Sequence, residues 1–278
     1  MDYTEATLPP FADIEAFFEH LQCPPSTFQG QKIAKTLVYE KGLFNTADKQ
    51  LFTDTVDTVN WRHALKPENT SIAAYSTDDL SYNEMHVLHI TFKDDPKLQN
   101  KIKGVSSLLH RIIHYPVILV VQQQQQISIS LADKLQANND ALFKIDHIYH
   151  SGWLKLSQTD GVEGAFLADF TLNNVPLANF YQLYQGLIDK ILRLDVSRGT
   201  GIYVATSTEK KIEASAEQQH LSIAEKKQSI RELDALRQQL KQLKNTSKIE
   251  KQIRIKIALN IKIHSLKKQI KALEQRIF

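Results

Sequence analysis

The chain has 278 residues, 42% hydrophobic and 23% charged, enough apolar content for a real core and too much for a wholly disordered protein. Its net charge of +3 hides two opposite parts: residues 1–204 carry 17 Lys and Arg against 23 Asp and Glu, and residues 205–278 carry 17 against 8. A lone cysteine, Cys23, excludes an internal disulfide, an acidic first segment is unlike a secretory signal, and the longest apolar run, Tyr115 to Val121, falls far short of the ~20 residues that span a bilayer. A cytoplasmic setting is expected, with an α/β body over 1–204 and a separate basic segment over 205–278.

In chain order, Ile14, Phe17, Phe18 and Leu21 share one helical face, and Pro24-Pro25 ends that helix. Thr36 to Tyr39 reads as extended. Asn45 followed by Asp48 resembles a capping box for a helix with Leu51, Phe52, Val56 and Val59 on one stripe, ending near Trp61 to Leu65. Extended segments are predicted at Thr70 to Tyr75 and at Glu84 to Phe92, where Leu88, Ile90 and Phe92 alternate with Val87, His89 and Thr91. Asp94-Asp95-Pro96 then opens a helix whose Leu98, Ile102, Val105, Leu109 and Ile112 are spaced for burial. The apolar run Val117 to Val121 follows as a central strand, giving a strand, helix, strand unit with parallel pairing. Gln122 to Gln126, lying between core strands, reads as a polar strand extension or hairpin. Further strands are predicted at Leu142 to Tyr149, Trp153 to Leu156 and Phe166 to Leu172, and a helix after Pro176. The fold class is mixed α/β, a sheet of five or more strands with packed helices.

Ser197 to Tyr203 marks a linker; its Gly199 and Gly201 lack the third glycine and the Lys-Ser/Thr of a phosphate loop. Thr206 and Glu209 form a capping box, after which glycine and proline are absent. Ile223, Ile230, Leu233, Leu236, Leu240 and Leu243 recur at helical spacing, Asn245-Thr-Ser breaks the run, and Ile249, Ile263, Leu266, Ile270, Leu273 and Ile277 restart it. The pattern predicts an antiparallel coiled-coil hairpin. Ile253 to Ile263 alternate like a strand, but helical flanks favour helix. Two ridges then form, 249, 253, 257 and 261 on one, and 259, 263, 266, 270 and 273 on the other. The first helix of the hairpin can cover one of them, so Ile253, Ile257 and Ile261 are candidate partner-binding residues.

Histidine pairs 110/114, 86/89 and 147/150 offer weak metal spacings, and no metal site is assigned. The order helix, strand, strand with Glu84, helix, strand follows a restriction-endonuclease-like core, which would use carboxylates and a lysine to hold Mg²⁺. Glu84, His86 and Asp79 are its candidate residues, but His86 stands where the signature needs lysine, so a degenerate, non-catalytic core is the favoured form and no cofactor is expected outside the nuclease alternative. Lys244, Lys248 and Lys251 are candidate phosphate contacts, although the lysines are spread around the helices and Trp and Tyr for base stacking are absent from the tail.

Several segments together, LVYEKGLFNTADKQLFTDTVDTVNWRHALKPENTSI at 37–72, YNEMHVLHITFK at 82–93, IIHYPVILVV at 112–121 and NTSKIEKQIRIKIALNIKIHSLKKQIKALE at 245–274, resemble a large bacterial family of unknown function. The resemblance runs from about Lys32 to the end. It implies a setting beside type III restriction-like helicases and DNA methyltransferases, hence an accessory subunit of a restriction or phage-defence system with one of these as protein partner, or with a second copy through the hairpin. Its matching residues, Trp61, Leu65, Pro67, Glu84, Tyr115 and Pro116, carry no assigned role.

Overall fold

The computed structural model describes residues 11–41, 44–136, 143–158, 160–205 and 223–276. Helix α1 (Ile14–Leu21) starts where the Asp13 carboxylate accepts from Ala16 N at 3.0 Å, and it buries Phe17, Phe18 and Leu21. A short strand β1 (Phe28–Lys32) and helix α2 (Lys35–Lys41) follow. Helix α3 (Thr46–Thr55) is capped by the Asn45 side chain, which accepts from Asp48 N at 2.8 Å, and it runs directly into strand β2 (Val56–Leu65).

Strands β3 (Tyr75–Ser76) and β4 (Ser81–Tyr82) make a small ribbon before β5 (Met85–Phe92). Helix α4 (Ile102–Ile112), entered through a 3₁₀ turn at Pro96–Lys101, crosses to β6 (Val117–Gln123), which pairs parallel to β5 from His86↔Val117 to Thr91↔Gln122. Gln124, with φ of 51°, and Gln125 turn the chain into β7 (Gln126–Gln136), so the glutamine tract is a hairpin. Strand β8 (Phe143–Lys155), helix α5 (Gly161–Asp169) and helix α6 (Phe180–Thr200) complete the body.

The six strands lie in the order β1-β2-β5-β6-β7-β8, antiparallel except for β5 and β6. Alternation along the central strands divides the core. Val87, Ile118, Val120, Ile129 and Leu131 face α1, α5 and α6, while Leu88, Ile90, Leu119 and Val121 face α3 and α4. The Tyr184 hydroxyl locks α6 to the sheet, accepting from Ala132 N at 2.9 Å and donating to Val117 O at 3.0 Å. Opposite it, Lys134 crosses beneath the end of α4 and donates to Ile113 O and to Tyr115 O, satisfying carbonyls that the helix terminus leaves free.

Several local expectations are corrected. Val56–Leu65 is a strand: Val56 and Val59 fit a helical stripe, but this β-branched and aromatic segment gains a full antiparallel ladder with β5. Lys35–Lys41 is helical, not extended. Phe166–Leu172 begins as helix α5, because Phe166 and Phe170 at i and i+4 fill the space beneath α6. The two strands expected at 142–149 and 153–156 are one continuous β8 over its described residues, bent where Gly152 takes φ of 70° beside a register shift opposite Ser128 and Ser130. Thr70–Tyr75 holds only an isolated parallel bridge from Ala73 to Asn179 and the first residue of β3, Tyr75. Edge strand β1 was not foreseen, being exposed along its whole length and so lacking a hydrophobic period.

At the C-terminal end, helix α7 (Ile223–Ile249) and helix α8 (Ile253–Arg276) are joined by residues 250–252 and pack on each other. The break expected at Asn245-Thr-Ser is absent. Thr246 donates from its hydroxyl back to Gln242 O at 3.1 Å, and Ser247 reaches Asn260 on α8 at 3.2 Å, so these polar residues stay helical. The Thr206/Glu209 capping box and Ile277 lie outside the described residues. Leu233, Leu266, Ile270 and Leu273 are buried in the same apolar cluster as α6, with Leu236, Leu240 and Leu243 packed against it.

Candidate functional site

Two places gather the residues that the sequence singles out. The first is where β2 ends and β5 begins. Antiparallel pairing of Leu65 with Met85 brings the next residues together, and the Lys66 ammonium lies 3.2 Å from the Glu84 carboxylate. His86, one register step on, faces Glu84 with its Nε2 at 3.3 Å. Trp61 Nε1 donates to His86 Nδ1 at 3.1 Å, which places the ring proton on Nε2, the atom turned toward the carboxylate. The imidazole is flanked by the Trp61 and Tyr115 rings, at centroid distances of 5.2 and 4.9 Å.

Glu84 is ion-paired here, while His86 Nε2 approaches it without forming a hydrogen bond. Burial works to raise the Glu84 carboxyl, but Lys66 and His86 together outweigh it and hold the group below its usual value. Burial pushes His86 down despite Glu84, leaving it neutral at pH 7. Asp79 lies exposed in the turn between β3 and β4. Among the described residues no three His, Cys, Asp or Glu side chains stand together as a metal-holding group. Glu84 and His86 also sit at the N-terminal end of the parallel pair, whereas ligands of α/β sheets gather at the carboxyl ends. The cluster can brace β2 against β5; as placed, it presents no open cation site.

The other paired histidines form no metal site among the described residues. His110 is fully buried, with Nε2 at 3.1 Å from the Ser130 hydroxyl, and His114 lies beyond the end of α4, so the i, i+4 pair is not carried on one helix. His89 meets the Gln122 side chain at 2.9 Å and packs edge-on to Phe18. His147 and His150 line a shallow hollow of about 110 Å³ between β8, α4 and α6, with Lys103 and Asp195. Burial pushes the Cys23 thiol up to about 12 against an opposing pull from Arg62, so it is no nucleophile at neutral pH.

The second place is α7 and α8, whose two ends differ. Near the body the basic residues are spent on carboxylates. Lys227 donates to Asp133 at 2.7 Å and to Gln185, and Asp133 also accepts from Tyr149 at 2.8 Å and Gln185 at 3.1 Å. Arg231 pairs with Asp146, and Arg237 with Asp195 at 2.9 Å. Three body carboxylates thus meet three cations of α7, which is where part of the acidic surplus of residues 1–204 is neutralised.

Toward the linking turn the picture inverts. On α8, Leu266, Ile270 and Leu273 are buried, whereas Ile253, Ile257 and Ile261 are 77%, 55% and 65% exposed, and Ile249 at the end of α7 is 79% exposed. At about 100° per residue, positions 253, 257 and 261 form one ridge on the side of α8 away from its buried seam. Fully burying one isoleucine side chain stabilises a contact by about 1.5–3 kcal/mol, so three adjacent ones left in water are a substantial unused driving force. Lys244, Lys248 and Lys251 are exposed around the same turn, with no carboxylate partner among the described residues. No helix of the described residues is long and apolar enough to cross a membrane.

No curated protein and no solved structure matches the chain. A match over residues 21–270 covers nearly all of the body and most of α8, and the chain belongs to the family described as "Domain of unknown function (DUF4391)".

Proposed function

We propose that this protein is an accessory, non-catalytic interaction subunit of a bacterial restriction or phage-defence system, acting in the cytoplasm with a helicase or DNA methyltransferase. The observation that supports it is the isoleucine ridge Ile253, Ile257 and Ile261, exposed on a helix whose other apolar face is already buried. In this reading α7 and α8 form an antiparallel coiled-coil hairpin, anchored to the body at its base and free for contact near its turn. The defence-system setting follows from the family resemblance alone. Co-expression with a helicase and a DNA methyltransferase of the proposed system tests it: a stable complex that Ile253→Asp/Ile257→Asp abolishes is expected, and failure of both proteins to bind the intact chain would refute it.

A second reading has one observation in its favour. In this reading α3, β2, β5, α4 and β6 are taken as a restriction-endonuclease-like core, supported by the approach of His86 to Glu84. Metal-dependent nuclease activity predicts DNA cleavage with Mg²⁺ or Mn²⁺ that Glu84→Ala removes. With Glu84 engaged by Lys66 and His86, we favour a degenerate core. DNA binding through Lys244, Lys248 and Lys251 predicts affinity that falls steeply with salt and is lost when α7 and α8 are deleted.

A further inference from the structure

We infer that the occupant of the isoleucine ridge is an amphipathic helix of another protein, whose apolar stripe is rimmed by Asp and Glu. This rests on the reading of the ridge as a docking surface and adds the chemistry of the partner.

The charge around the ridge carries the argument. Residues 244–262 hold six Lys and Arg against one acid, Glu250, and that carboxylate accepts from Gln252 N at 2.7 Å in the turn. By helical position Arg254 flanks the ridge on one side and Lys256 on the other, and the same face continues as His264, Lys268 and Lys271, all exposed. Neither His264 nor any of these four Lys and Arg side chains has a carboxylate within ion-pair distance among the described residues, whereas Lys227, Arg231 and Arg237 at the base each have one. Three α7 cations are thus used where they face the acidic body, and among the described residues Arg254, Lys256, Lys268 and Lys271 around the apolar stripe have no carboxylate partner.

Other occupants fit less well. A ridge-to-ridge contact between two copies would set Arg254, Lys256, Lys268 and Lys271 against one another, like charges at close range with no counter-ion. The body of a second copy is acidic, but among the described residues its exposed large apolar side chains, Phe28, Leu37, Tyr115, Leu177 and Ile202, belong to five separate segments and give no stripe to receive the ridge. Nucleic acid supplies the negative charge but nothing that would bury isoleucine. An anionic lipid surface would favour a wider apolar face with Trp or Phe, and α8 has neither. An acid-rimmed amphipathic helix satisfies both halves of the surface, laying its stripe along 253, 257 and 261 and its carboxylates beside the cations.

The test uses the full chain and two synthetic helical peptides with Leu on one stripe, one flanked by Glu and the other by Lys, together with anionic phospholipid vesicles and duplex DNA. The Glu peptide is expected to bind, to weaken by about tenfold or more with Ile253→Asp, and to weaken again with Arg254→Glu/Lys256→Glu and as salt is raised. The Lys peptide is expected not to bind. Equal binding of the two peptides, binding of neither, ridge-dependent dimerisation of the chain alone, or ridge-dependent binding of vesicles or DNA in preference to the Glu peptide would each overturn the inference. Binding of the Glu peptide without binding of the proposed helicase or methyltransferase would keep the partner chemistry and refute the proposed system. A complex with those proteins that ignores charge reversal would do the opposite.

Discussion

Ile257→Ala and Leu266→Ala, nine residues apart on one helix, separate the proposed docking ridge from a packing seam. Leu266 is 8% exposed and sits in the cluster shared with α6 and Leu233, so trimming it leaves a cavity at the base of the helical pair. The expected loss is about 2–5 kcal/mol of stability. Ile257 is 55% exposed, and alanine is the better helix former by a few tenths of a kcal/mol, so Ile257→Ala should leave thermal unfolding unchanged or slightly raised. On a partner its effect reverses. The substitution removes three carbons worth about 0.8 kcal/mol each when buried; with roughly half of that surface still open, about 1.3 kcal/mol of docking energy is lost, close to tenfold in Kd. Ile253, more exposed, should lose about 1.8 kcal/mol, close to twentyfold. Differential scanning calorimetry and titration against the bound partner read the two quantities separately. A fall of several degrees in the melting temperature of Ile257→Ala, with partner affinity untouched, would show that the ridge packs within the fold and would refute the reasoning.

Three further outcomes follow from the body. Tyr184→Phe leaves Ala132 N and Val117 O without their buried partner and should cost about 1–3 kcal/mol in denaturant unfolding, with no effect if water reaches both groups. Lys190 and Asp169 are each 1% exposed at 2.7 Å, so Lys190→Met strands a carboxylate in the core and should cost about 3–5 kcal/mol; an unchanged midpoint would show that Tyr203 and Asn174 suffice to hold Asp169. His63 and His150 are pushed down to about 4, chiefly by burial, with Arg62 acting on the first and Lys103 and His147 on the second. Because their folded values lie below the ordinary 6.5, the unfolded chain takes up these protons first. Stability should be full above pH 6.5 and fall progressively toward pH 4, and a flat profile across that window would contradict the burial of these rings.

The sequence made some elements legible and hid others for identifiable reasons. Helices α1, α4 and α6 and strands β5 and β6 have one unambiguous period and strong end signals, such as Asn179 accepting from Gln182 N at 2.8 Å at the start of α6. Strand β2 is hidden because Leu51, Phe52, Val56 and Val59 keep helical spacing across a junction that only pairing with β5 reveals. Helix α5 is hidden because its buried Phe166 and Leu167 and the following Phe170 form a short apolar run that fits a strand as readily as a helix. At the candidate site, the four-residue repeat of Ile253, Ile257 and Ile261 could be read directly, since one neighbouring helix covers one face. The meeting of Lys66 with Glu84 could not, because it depends on the β2–β5 register. Nor could the capture of Lys227, Arg231 and Arg237 by Asp133, Asp146 and Asp195, residues 42 to 94 positions away. The charge asymmetry between the two parts was the only trace of it.

The most direct test of the account is sedimentation velocity on the intact chain mixed with the helicase or methyltransferase proposed as its partner, repeated with Ile253→Asp/Ile257→Asp. The account predicts a co-sedimenting complex for the intact chain and separate species for the variant, with the variant's own fold and melting unchanged. A complex of equal stability in both cases would place the contact elsewhere and contradict the role assigned to the ridge.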